Sequence, residues 1–102
     1  MRQFDLTPNP SSRSRDHAPY FLILQSHYLQ TIDSVVVAPV IRDARRQIFE
    51  VDVAIAFEGE PLVVALGELF SIERKLLRPP AGSARSSEDD IRRGLSRVFT
   101  GF

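Results

Sequence analysis

From residue 51 the chain alternates. Val51, Val53, Ile55 and Phe57 are apolar, while Asp52, Ala54 and Ala56 between them are polar or small. A period of two over seven residues predicts a strand with one buried face. Glu58, Gly59, Glu60 and Pro61 follow, then the unbroken apolar run of Leu62, Val63, Val64, Ala65 and Leu66, so the spacing predicts a hairpin. Upstream, residues 20–25 (YFLILQ) form a compact apolar run suited to a buried strand. Residues 34–41 (SVVVAPVI) are β-branched and strand-like, but Pro39 lacks an N–H, which predicts a strand end, an edge or a bulge there. Residues 2–7 suit a short first strand ended by Pro8, Asn9 and Pro10, and residues 72–77 suit another. Residues 11–19 are polar, without period, and close on Pro19, as in an exposed loop. Residues 26–33 fit a turn or a short helical turn.

After the break at residues 79–83 (PPAGS) the period changes. Ile91, Leu95, Val98 and Phe102 fall on one helical stripe, with Phe99 widening it and Arg92, Arg93, Ser96 and Arg97 opposite. Ser86 or Ser87 can cap this helix, and Glu88, Asp89 and Asp90 favour its first turn. Gly94 costs about 1 kcal/mol relative to Ala in a helix interior, which points to close packing at that position. By composition the stripe is core first and interface second. Phe102 stands apart, because a carboxylate beside its ring resists burial and holds it at a surface or a subunit boundary. Several short strands followed by one helix predict a single domain over residues 1–102. Its body, about 1–78, is an antiparallel sheet curled into a small barrel, with the helix, about 87–102, as plug or buttress.

Composition narrows the function classes. Hydrophobic residues are 43% and charged residues 25% of the 102, as in an ordinary globular protein. Thirteen basic side chains balance thirteen acidic ones, so no net field draws the chain to nucleic acid or an anionic membrane. With no cysteine, disulfides, thiolate catalysis and cysteine zinc sites are excluded. The N-terminus has no secretory pattern and no stretch is long enough to span a membrane, so a cytoplasmic location is expected.

Nothing in the candidate chemistry names an enzyme, a metal or a cofactor. His17 lies in the polar loop and His27 just after a strand, neither with the spacing of a metal ligand set. The loop serines have no G-x-S-x-G elbow. Glu58 and Glu60 flank a hairpin glycine, where carboxylates are usually solvated. Arg42, Arg45 and Arg46 form one basic group and Arg92, Arg93 and Arg97 another; either suits a phosphate or an acidic peptide, or simply a solvated face.

Read in order, certain residues carry a resemblance. Gln3, Phe4, Asp5 and Leu6 with Asn9 and Pro10; Pro19, Tyr20, Phe21 and Leu22 running into Leu24, Gln25 and Ser26; Val35, Val36 and Val37 with Pro39 and Val40; and Asp89, Asp90, Ile91, Leu95, Phe99, Thr100, Gly101 and Phe102 all match in sequence. In these the chain resembles the CcdB family of toxins from bacterial toxin–antitoxin pairs, almost end to end, with a weaker match over residues 42–77. The resemblance implies a mainly β fold, an SH3-like barrel-type antiparallel sheet plus a small second sheet and a C-terminal α-helix, assembled as a homodimer. It implies a non-enzymatic toxin that binds the A subunit of DNA gyrase and traps the enzyme on cleaved DNA. A CcdA-like antitoxin would neutralise it, and the pair would repress their operon, touching operator DNA only as that complex. The gyrase-binding positions it implies are Thr100, Gly101 and Phe102. The family's well-described gyrase poisons carry Trp, Gly and Ile there, so Thr100 lacks their flat ring and Phe102 replaces an aliphatic residue. His27 and Ser96 stand where Asp is usual. Two alternatives share the fold: a ribonuclease toxin, for which His17 with Arg13 or Arg15 is the best catalytic group, and a non-toxic homologue that only binds antitoxin or regulates the operon.

Overall fold

The computed structural model describes residues 1–26 and 31–101. Among the described residues seven strands, β1 (Asp5–Pro8), β2 (Tyr20–Ile23), β3 (Ser34–Ile41), β4 (Val53–Phe57), β5 (Glu60–Val64), β6 (Phe70–Glu73) and β7 (Gly82–Ser83), precede one α-helix, α1 (Glu88–Thr100). The strands pair antiparallel in the order β4-β5-β3-β2-β1-β7, with β6 joined to β3.

β3 organises the sheet because it forks. Along one edge it pairs with β2, from Tyr20↔Val40 to Ile23↔Val37. On the other edge its first half pairs with β6, from Ser34↔Glu73 to Val37↔Phe70, and its far end with β5 through Val40↔Val64 and Ile41↔Val63. The small second sheet therefore takes the form of an arm, β4 with β5, hydrogen-bonded to the end of β3 rather than standing free. Pro39 lies inside this central strand, not at its end. Its carbonyl accepts from the Ala65 N–H at 2.9 Å, so its nitrogen faces the same side, in the gap between β6 and β5 where no strand asks for a donor. The proline marks the fork.

Leu22, Ala38 and Val40 face the main core with Phe4, Leu6, Val53, Leu62, Val64, Leu66 and Ile91. Phe21, Ile23, Val35 and Val37 face the other way, covered by Ile72 and Leu77. Two buried faces explain why β2 and β3 read as unbroken apolar runs. In the arm β4 has one buried face: Val53, Ile55 and Phe57 pack inward while Ala54 and Ala56 are exposed. Its two-residue turn has Glu58 at φ 52° and Gly59 at φ 79°, the left-handed pair that matches the twist of a tight hairpin.

Several boundaries differ from the sequence pattern. β1 starts at Asp5 rather than residue 2, because Phe4 turns the chain at φ 71°. That turn is closed by the Asp5 N–H on the Arg2 carbonyl and the Arg2 N–H on Asp5 Oδ2, at 3.1 and 2.7 Å. The strand expected over 72–77 begins at Phe70 and passes into a 3-10 turn, Arg74–Leu76. The break at 79–83 is also structural: Gly82 and Ser83 pair with Leu6 and Asp5 and close the sheet beside β1. Asp52, on the alternating polar side, is buried. Its carboxylate accepts the Ile48 N–H at 3.0 Å and the Gly67 N–H at 3.2 Å, tying the loop before β4 to the turn after β5.

Candidate functional site

The sequence directs attention to the end of α1, and the whole helix positions it. A 3-10 turn, Arg85–Ser87, leads in. The expected serine cap is not made: the Ser87 side chain bonds nothing at the helix start, and its N–H goes to the Ala84 carbonyl. The acidic first turn instead holds arginines. Glu88 takes Arg92 Nε at 2.9 Å and Asp90 takes Arg93 Nη1 at 2.9 Å. The Arg85 and Arg92 guanidiniums both lie over the buried Phe4 ring, 5.9 and 5.3 Å from its centre.

Ile91 and Gly94 are fully buried and Leu95 and Val98 half-buried against the sheet. Gly94 is required. A Cβ there would overlap the Val51 carbonyl oxygen and come within 2.5 Å of Leu66 Cδ1. At about 100° per residue, the buried stripe centres between Ile91 and Gly94, so Phe99 falls well to one side and Thr100 almost opposite.

The end of the helix is accordingly open. Phe99, expected to widen the buried stripe, is 71% exposed. Thr100 is exposed, its hydroxyl donating back to the Ser96 carbonyl. Gly101 adopts φ 78°, and its N–H closes on the Arg97 carbonyl at 3.1 Å, a left-handed cap that stops the helix at Thr100. Thr100 and Gly101 are thus brought together, with Phe99 beside them. Phe102 and His27 lie outside the described residues. The exposure of Phe99 was readable from its angle to Ile91 and Val98, had those two been taken as the centre of the stripe.

The other candidates divide. Arg42 pairs with Glu60, Arg45 with Asp43 and Arg46 with Glu68, so the first basic group is a set of surface ion pairs. The Arg45 guanidinium beside Asp43 holds that carboxyl below its ordinary value. Glu58 is exposed. Arg15 turns back to the Asn9 and Pro10 carbonyls and so organises the loop, away from His17. His17 meets Arg46 instead, Nε2 to Nη1 at 2.8 Å, with Glu68 3.4 Å beyond. These three rim a cleft of about 350 Å³ floored by Ala18, Phe21 and Pro39. Among the described residues no cluster of His, Asp or Glu converges as a metal ligand set, and no helix is long and apolar enough to cross a membrane.

A curled antiparallel sheet plugged by a C-terminal helix is a toxin fold in known structures. A crystal structure of an Mtb toxin superposes with a TM-score of 0.70 at 21% identity, covering 78% of this chain and 91% of that one. The Mycobacterium tuberculosis toxin MazF-mt6 gives 0.73 at 19% identity over 96% of each chain. An endoribonuclease in complex with its cognate antitoxin, from a mycobacterial species, gives 0.73 at 10% identity over 97% and 94%. No curated protein matches the chain significantly in sequence. The family model of the CcdB protein matches residues 3–101. The chain belongs to the CcdB family, and so to the toxins of toxin–antitoxin pairs.

Proposed function

We propose that this toxin is not an enzyme but acts by binding, through the end of α1, to the A subunit of DNA gyrase in the cytoplasm. The observation that carries the reading is the end of α1 itself. Phe99, Thr100 and Gly101 are exposed on a helix whose other face is held to the sheet. An exposed aromatic side chain has only two torsions to order and here stands on a backbone already held in a helix, which suits an interface anchor. Phe99 therefore supplies the ring that Thr100 lacks. In this reading Thr100, Gly101 and Phe102 make the contact with Phe99, and the working species is a homodimer. A CcdA-like antitoxin neutralises it, and the complex alone binds operator DNA. Purified protein in a gyrase supercoiling and cleavage assay tests the reading: cleaved DNA accumulates with the parent and not after deletion of residues 100–102. Equal cleavage by both removes it.

The cleft at His17 favours a second reading. A histidine nitrogen that accepts from Arg46, above an apolar floor, is suited to a phosphodiester with a stacked base. Site-specific cleavage of total RNA by the parent, lost in His17→Ala, supports a ribonuclease toxin; intact RNA excludes it.

A further inference from the structure

The start of α1 forms one wall of a cleft of about 730 Å³, whose other walls are the N-terminal turn and β7. Phe4 underlies it and is fixed. Its ring is buried, and its backbone is held on both sides, the N–H by the Ile23 carbonyl at 2.7 Å and the carbonyl by the Ala84 N–H at 2.8 Å. The Arg85 and Arg92 guanidiniums lie over this ring, and one carboxylate serves both: Glu88 takes Arg92 Nε at 2.9 Å and Arg85 Nη1 at 3.7 Å. A third guanidinium, that of Arg2, lines the same cleft. The other carboxylate there, Asp5, accepts the Arg2 backbone N–H at 2.7 Å. Among the described residues three guanidiniums thus face two carboxylates, and the cleft carries excess positive charge.

Several donors in the cleft are not in use. Arg85 directs Nη2 to the Gln3 carbonyl at 3.3 Å. Arg92 donates only through Nε, so both of its terminal amino groups lack a polar partner among the described residues. The Ser83 hydroxyl oxygen accepts the Arg85 N–H at 3.0 Å, while its own proton goes to no described residue. The Arg2 side chain makes no hydrogen bond or ion pair with any described residue. These donors come from three separate elements. A carboxylate presents two oxygens in one plane, whereas a tetrahedral phosphate presents three or more and meets donors from several sides. The contact with Phe4 and the bond to Glu88 also hold the Arg92 head before a ligand arrives, which lowers the ordering cost of binding.

We propose that this cleft binds a phosphate group, as the free anion or as a small phosphate monoester, through the Arg92 terminal amino groups, the Arg2 guanidinium and the Ser83 hydroxyl. The site shares no residue with the contact proposed at the end of α1 and stands or falls independently of it.

Titration of the full chain at constant ionic strength, followed through its backbone amide and arginine Nε–H resonances, tests the site. The probes are inorganic phosphate, adenosine monophosphate, a short single-stranded oligonucleotide and, as the reference anion, chloride. Saturable shifts at residues 2–5, 83–85 and 92 with either small phosphate, absent with chloride, support it. Equal affinity for the two assigns the free anion, and tighter binding of the nucleotide assigns the ester. Arg2→Gln removes a guanidinium that supports no described contact of the fold, and should raise the dissociation constant about tenfold. Arg92→Gln should do the same. Arg93→Gln, an equal loss of charge on the same helix but outside the cleft, should change it by about twofold at most. Shifts that never saturate, that chloride reproduces, or that survive Arg2→Gln combined with Arg92→Gln overturn the site. A response to the oligonucleotide alone also overturns it, and would make the cleft a contact for a nucleic-acid backbone.

Discussion

The two ends of α1 follow opposite rules. Its first two turns are held on one face: Ile91 fills the core, Gly94 lets the helix touch the Val51 carbonyl, and Arg92 lies over Phe4 together with Arg85 of the preceding turn. Past Val98, which still packs on the core, its tip touches little. Phe99 stands 71% exposed, Thr100 bonds only back into the helix, and a Cβ on Gly101 would meet nothing within 4 Å. The contrast teaches that the helix is a bracket as much as a plug. Burial at one end fixes where the helix ends, so the exposed Phe99 ring is presented from a backbone already in helical form.

Substitutions can break the contrast from either side. Ile91→Ala leaves a cavity among Phe4, Leu66 and the sheet, and should lower unfolding free energy by about 2–5 kcal/mol in urea titration. Gly94→Val forces the helix off Val51 and should cost about 1–3 kcal/mol or more by the same measurement. Gly101→Ala meets no neighbour but must hold a left-handed backbone, a loss of about 1–2 kcal/mol that reads only on the tip. The smallest effect is electrostatic. The lowered pKa of Asp43 means that its bond to Arg45 contributes stability above the ordinary carboxylate value of 3.8 and loses it as pH falls through the lowered folded value. Parent and Asp43→Asn should therefore differ slightly in urea midpoint at neutral pH and converge in acid; a constant difference would contradict the assignment.

How much of this was legible in the sequence depends on range. β3, β4, β5 and α1 announced themselves, because their periods come from one buried face or from β-branched runs that no helix would place together. The misread places are set by distant partners. Pro39 looked like a strand end because the fork opposite it, between Val37 and Val40, is made by β5 and β6, which lie far along the chain. Asp52 looked like a solvent-facing residue because its donors, Ile48 and Gly67, meet only in the fold. Phe4 looked like a strand residue because the bonds that fix it beyond its local turn come from Ile23 and Ala84. At the end of α1, the resemblance points to Thr100 and Gly101, which the structure finds exposed, whereas the helical stripe places Phe99 with the core. Hydrophobicity alone cannot separate a buried ring from a presented one; the helical angle of Phe99 to Ile91, Gly94 and Val98 does.

The most direct test of the account is a single substitution read two ways. Phe99→Ala should leave the urea unfolding free energy within about 0.5 kcal/mol of the parent, as expected for an exposed side chain, while abolishing growth arrest when expressed without antitoxin. Full growth arrest by a folded Phe99→Ala protein, or a loss of stability comparable to that of Ile91→Ala, would contradict it.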